Sequence, residues 1–326
     1  MRVSKQFILL FALVLMGSGC RSRQTSNPEI TFLTLKGPSA MGMVYLMDQS
    51  DQLINQKLNI EILDEPMLTR ARMLSDKPEL TVLPLNMAAI LYNKGLPYQV
   101  IAIPVWGTLF LFGRDSTITS WDSLKNKRVF LMGKGTTPDI IFRYLLKYHG
   151  LIPDRNITLD YSFPTHIDLA NAVSAGSADL AVISEPMVSL ARAHNPSIHQ
   201  LMNLNTEWSA AFPDHPEMPQ TALMGRIDFI HDHPDWIEKI ANAWSRSIDQ
   251  VNRYPLPAAK RIVYYKILPD TTIALQAIPR CNMKFSYASE IAPQINQYLQ
   301  VLFNFNPDAV GGQLPDEQFI YQKPDH

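Results

Sequence analysis

Two loops of this sequence carry residue types suited to holding a polar or charged small molecule. Lys36-Gly37-Pro38-Ser39-Ala40-Met41-Gly42 follows the apolar run Ile30 to Leu35, and Gly133-Lys134-Gly135-Thr136-Thr137-Pro138-Asp139 follows Arg128 to Met132. Each reads as a strand, a glycine turn and the start of a helix. The first amides of a helix have no partner within it, so such a start presents N–H donors to an anionic or polar group. Capping residues occur at most helices, so it is the recurrence of the pattern that carries weight. Other chemistry is poorly supplied. The pairs His194/His199 and His231/His233 lie in polar, proline-containing stretches without a neighbouring cysteine or an HExxH spacing, so no metal or other cofactor is expected. No GxSxG elbow is present to expose a serine nucleophile, and no catalytic residue is assigned.

The elements that position these loops repeat at an offset of about 100 residues. After the first strand and loop of each copy comes a second strand, Leu58 to Leu63 against Ile157 to Tyr161, and a short helix, Leu68 to Leu74 against Ile167 to Ala175. The third strand closes the unit, with Leu80 to Met87 matching Leu180 to Met187. Short apolar runs alternating with helical patterns indicate βαβ units and a mainly parallel sheet in each half. Ligands of open α/β sheets sit beyond the carboxyl ends of the strands. Two such sheets facing each other place their loops on opposite walls of one cleft; the alternative is chance similarity among generic βαβ units. In the second copy Thr137 can cap the helix, Pro138 suits its first position and Asp139 its positive end. Ile140, Ile141, Tyr144, Leu145 and Tyr148 then recur at helical spacing until Gly150. Trp236, Ile237, Ile240, Ala241, Trp244, Ile248 and Val251 mark a further amphipathic helix, with the tryptophans read as core.

At the N-terminus, Arg2 and Lys5 precede the apolar run Phe7 to Met16, which ends in Gly17-Ser18-Gly19 before Cys20. This is the layout of a secretory signal peptide, and the run is too short to span a bilayer, which needs about 20 apolar residues. The cut site resembles a bacterial lipoprotein box with Cys20 as the lipidated residue, although Gly17 stands where that box usually has leucine. An ordinary secreted protein cut nearby is the alternative. Residues 1–20 are thus expected as signal peptide and the polar residues 21–28 as a flexible tether. Only Cys281 remains besides Cys20, so the mature chain relies on its core rather than on an internal disulfide. The formal charge of −1 and the scattered charges argue against a nucleic-acid partner, which needs a concentrated basic face.

The chain resembles the substrate-binding proteins of ABC importers in the nitrate, sulfonate, taurine and thiamine-precursor (NMT1/THI5-like) group. The resemblance rests on Gly37 to Gly42, Asn86-Met87-Ala88-Ala89, Trp106-Gly107 with the strand Leu109 to Phe112, and Ser123 to Val129. It continues through Gly135 to Asp139, Glu185-Pro186 and the tail Gly311 to Phe319, in the family's order. It implies an α/β type II periplasmic-binding fold of two lobes around a ligand cleft: residues 29–112 plus 221–326 in the first, 113–220 in the second. The crossings would lie near Phe112 to Ser116 and Pro213 to Thr221. Helices beginning at Pro257 and running from Tyr287 to Phe303 would complete the first lobe.

The same resemblance implies that Gly37, Ser39, Met41, Asn86, Trp106, Thr136, Thr137 and Glu185 contact the ligand. Hydroxyls and amides would meet its polar groups and an aromatic face its apolar part. Glu185 could hold an amine or a pyrimidine amino group, or act as a hinge or cap carboxylate beside Pro186. No arginine stands among these positions, which weighs against a sulfonate or nitrate. The expected protein is an envelope-located, lipid-anchored monomer that delivers a small organic molecule to an importer permease by hinge closure. The alternatives are a receptor passing a signal, or an enzyme on the same fold. The pyrimidine-precursor synthase of that fold carries a Cys-Cys-Cys-Phe-Cys motif that does not occur here, and the menaquinone-pathway enzymes work in the cytoplasm.

Overall fold

The computed structural model describes residues 29–323. The signal peptide expected at 1–20, the lipidation site Cys20 and the tether at 21–28 lie outside the described residues. Along the chain come β1 (Ile30–Leu35), α1 (Pro38–Gly42), α2 (Val44–Met47), β2 (Leu58–Leu63), α3 (Pro66–Ser75), β3 (Leu80–Pro84), α4 (Leu85–Asn93) and β4 (Tyr98–Trp106). There follow β5 (Leu109–Gly113), β6 (Arg128–Leu131), α5 (Thr137–Tyr148), β7 (Thr158–Asp160), α6 (His166–Ala175), β8 (Leu180–Ser184), α7 (Met187–His194), β9 (His199–Asn203) and α8 (Leu204–Ala211). The chain ends with β10 (Pro219–Arg226), α9 (Ile227–Asp232), α10 (Pro234–Arg253), α11 (Pro255–Tyr264), α12 (Thr271–Ala277), β11 (Met283–Tyr287) and α13 (Ala292–Phe305).

Two mixed sheets form two lobes. The first has the order β11-β4-β10-β3-β1-β2 and the second β7-β6-β8-β5-β9. The repeat read from the sequence reappears as sheet order. In the first lobe β1 pairs in parallel with β2 and β3, and β10 runs antiparallel beside β3. In the second, β6 pairs in parallel with β7 and β8, and β5 runs antiparallel beside β8. Strands buried on both faces need mainly apolar runs, which is what Ile30 to Leu35 and Leu180 to Ser184 supply.

The structure changes two of the expected boundaries. The strand at Leu109–Gly113 pairs with β8 and β9 and so belongs to the second sheet. The first crossing therefore falls at Gly107-Thr108 instead of near Phe112 to Ser116. Leu109 to Gly113 is buried throughout, and such a run fits the centre of either sheet; pairing alone decides which. Gly113 fixes one end of that pairing, because a Cβ there would come within 2.5 Å of the Asp179 carbonyl oxygen. The second difference is at Tyr287, which was expected to open the last helix but closes β11, while the helix starts at Ala292.

Three apolar clusters hold the lobes. One lies within the first, around Phe32 and Trp244, whose rings meet edge-on at 5.7 Å. It takes Ile237, Ile240, Ile248 and Val251 from α10, the face predicted by their spacing. Another covers one face of the second sheet through Phe110, Phe112, Leu169 and Ile183. The third crosses between lobes, joining Leu83, Trp106, Tyr298 and Val310 to Phe142, Val182, Leu204 and Trp208. Burial of each such side chain contributes about 1.5–3 kcal/mol, so this shared cluster ties the lobes along one side of the seam. Among the described residues no helix is long and apolar enough to cross a membrane.

Candidate functional site

The carboxyl ends of β1 and β3 face those of β6 and β8 across the seam, and their loops meet crosswise. Gly37, just after β1, lies against the residue following Glu185 at the end of β8: a Cβ on Gly37 would sit 3.5 Å from Pro186 Cδ. Its φ of 118° is in the region that glycine tolerates and other residues avoid. Asn86, just after β3, meets Thr137, just after β6, whose hydroxyl donates to Asn86 Oδ1 at 3.1 Å. Because β1 corresponds to β6 and β3 to β8, the first loop of each lobe meets the third loop of the other. The contact is reciprocal, as at a two-fold interface between like subunits.

Each predicted site residue has a definite place. Ser39 is buried in α1 with its hydroxyl 3.5 Å from that of Thr221 on β10. Asn86 also donates from Nδ2 to the Ala309 carbonyl at 3.4 Å, so its amide is held from two sides. Met41 and Trp106 stand behind the wall. Met41 is fully buried with Sδ 3.9 Å from Cys281 Sγ, and burial pushes that thiol well above the usual range. Trp106 is fully buried, its indole N–H donates to the Lys284 carbonyl at 2.9 Å, and Lys284 Nζ lies 5.2 Å from the ring centre.

The loop before α5 is organised differently from expectation. Thr136, not Thr137, is the residue at the helix N-cap, and its hydroxyl turns back to the carbonyls of Met132 and Gly133 at 2.7 and 2.8 Å. The buried Asp139 carboxylate instead ties down the turn ahead of the helix, accepting from the Gly135 amide at 2.7 Å, Arg143 Nε at 2.7 Å and the Tyr161 hydroxyl at 2.6 Å. Thr137 is thereby left free to reach across to Asn86. Burial, together with the adjacent Asp139 carboxylate, raises the Tyr161 hydroxyl, which stays protonated as a donor.

Glu185 and Pro186 join β8 to α7. The Glu185 carboxylate is buried and answered by the protein itself. Arg280 Nε donates to Oε1 at 2.5 Å, and the Ser189 amide and hydroxyl donate to Oε2 at 3.1 and 2.9 Å. Arg280 Nη2 also reaches the Ser189 hydroxyl at 2.6 Å. Arg280 belongs to the turn Ile278–Arg280 on the first lobe, so the group spans the seam. Burial pushes the Glu185 carboxyl up, opposed by the guanidinium and the Ser189 bonds. Sequence reasoning missed Arg280, which is 95 positions from Glu185 in a turn without a motif. Ser189 carried a usable signal, since it stands one helical turn after Glu185. At the crossing, Gln220 Oε1 accepts from the Thr108 amide at 2.8 Å and its hydroxyl at 2.9 Å, clasping the outgoing strand to the returning one.

Two α/β sheets with opposed loops at their strand ends define the class of the periplasmic binding proteins. Within it, residues 58–258 match the family described as NMT1/THI5 like, and the chain belongs to that family. The crystal structure of an ABC transporter from Parabacteroides distasonis is similar, with 28% identity, coverage of 90% of this chain and 99% of that one, and a TM-score of 0.79. The periplasmic aliphatic sulphonate binding protein SsuA from Escherichia coli shares the fold at 15% identity, over 91% of this chain and 93% of that one, with a TM-score of 0.71. The Bacillus subtilis (strain 168) protein YtlA is 26% identical over 137 residues, a stretch spanning 42% of this chain and 38% of YtlA.

Proposed function

We propose that this chain is the extracytoplasmic solute-binding component of an ABC importer, and that it captures a small organic molecule between its lobes. The observation that carries this reading is the crosswise meeting of Gly37 with Pro186 and of Asn86 with Thr137, where strand-end loops from both sheets converge. A molecule lodged there touches both lobes at once and so favours their closure. Gly37, Ser39, Asn86, Thr136 and Thr137 supply its polar contacts, with Met41 and Trp106 stiffening the wall from behind. Glu185 acts as part of the tie between lobes, because its charge is already met by Arg280. The lobes are taken as residues 29–106 with 219–323, and 109–211. The ligand is sulfonate-, taurine- or thiamine-precursor-like, the partner is a membrane permease, and Cys20 carries the lipid anchor. The protein works as a monomer and performs no catalytic step.

The test is native mass spectrometry of residues 21–326, purified gently from cells, followed by identification of any released small molecule. A stoichiometric ligand is expected. A consistently empty protein with no thermal shift across sulfonates, pyrimidines and amines would overturn the reading.

A further inference from the structure

Beyond Glu185 the seam continues to the crossing and opens into a polar pocket of about 290 Å³. Gly107, Arg280 and Asn282 line it from the first lobe's side, and Gln200, Asn203 and Asn205 from the second's. That volume is near the lower end of small-molecule sites, roughly 300–1,000 Å³. The lining is rich in donors. A guanidinium carries five N–H groups. Arg280 directs Nε to Glu185 and Nη2 to Ser189, which leaves the Nη1 edge without a hydrogen bond among the described residues. Asn203 spends its carbonyl oxygen on the Asn205 amide at 3.0 Å, and Asn205 spends its own on the Met218 amide at 3.4 Å. The NH₂ group of each is then what remains to offer. Asn282 donates weakly to the Gly107 carbonyl at 3.4 Å, and Gln200 is exposed on β9. None of the described lining side chains is acidic. Glu185 lies behind Arg280, where it orients the guanidinium without entering the pocket.

Donors from a guanidinium and from the Asn203 and Asn205 carboxamides, whose oxygens are spent inside the protein, complement an oxygen-bearing anion. We propose that this pocket is a second binding site, for a small oxyanion such as a carboxylate or sulfate, distinct from the site at the loops around Gly37 and Asn86. Its walls come from both lobes, so an anion held there binds the closed arrangement better than an open one and shifts the protein toward it. Glu185 is a positioning residue in this site, acting through Arg280.

The test is isothermal titration of the purified full chain with sodium acetate and with sodium sulfate in a low-salt chloride buffer. Saturable one-site binding of at least one anion is expected. Gln200→Glu places a carboxylate on the rim at an exposed position where folding is spared, and it should weaken binding tenfold or more; Gln200→Lys should strengthen it. Gln300→Glu, a matched change of net charge at an exposed site on α13, should leave the affinity unaltered. The proposal is overturned if neither anion gives saturable heat, if the two Gln200 variants bind alike, or if Gln300→Glu weakens binding as much as Gln200→Glu.

Discussion

Replacing Arg280 with methionine removes the guanidinium that faces Glu185 across the seam, and its cost can be worked from the geometry. The Glu185 side chain has no solvent exposure, whereas that of Arg280 is 23% exposed. Breaking a buried pair by deleting one partner costs about 3–5 kcal/mol, chiefly because an uncompensated charge stays behind. Here the two bonds from Ser189 survive, which places the expected loss near the lower end, about 3 kcal/mol at pH 8. The loss should depend on pH in a definite direction. Burial already raises the folded-state pKa of Glu185, and without the guanidinium it rises further. A carboxyl raised in the folded state carries no penalty below its unfolded value, where both states are protonated. The penalty accumulates as the pH climbs from the unfolded value and is complete above the folded one. Arg280→Met should therefore differ little from the parent at pH 4 and fully at pH 8. Adding Glu185→Gln should recover most of the loss. Urea unfolding followed by tryptophan fluorescence at both pH values measures this. A loss under about 1 kcal/mol at pH 8, or one of equal size at pH 4, would refute a buried, charge-bearing tie between the lobes.

Two further outcomes are expected. Asp139→Ala strips the loop before α5 of its bond to the Gly135 amide and leaves Arg143 without its carboxylate, at a cost of about 3 kcal/mol. Amide hydrogen exchange at Gly135 should accelerate, and an unchanged rate would sink the role of Asp139 in holding this turn. Cys20→Ser should move the protein from the membrane fraction to the soluble one, and continued retention would remove the lipid anchor from the reading.

The pairing of Thr137 with Asn86 brings together two residues named separately from the sequence. Both residues were singled out, one in each repeat, by the resemblance to the binding-protein family. That two such loops touch is a fact about the angle between lobes, and no local pattern encodes it. Asp139 was read as a favourable charge at a helix start, which it is, but its buried links to Arg143 and Tyr161 depend on how α5 packs against the chain after β7.

What the sequence determined by itself is whatever depends on neighbours along the chain. The apolar face of α10, the glycine turns after β1 and β6, and the three-strand repeat follow from periodicity, because side-chain direction alternates or rotates at fixed intervals. The tertiary structure alone decided which sheet accepts the uniformly apolar Leu109–Gly113, that Met41 and Trp106 lie behind the wall, and that Arg280 meets Glu185. An apolar strand has no preferred partner until the sheets form. A buried carboxylate finds its cation by proximity in space, to which a separation of 95 positions in the chain is no guide.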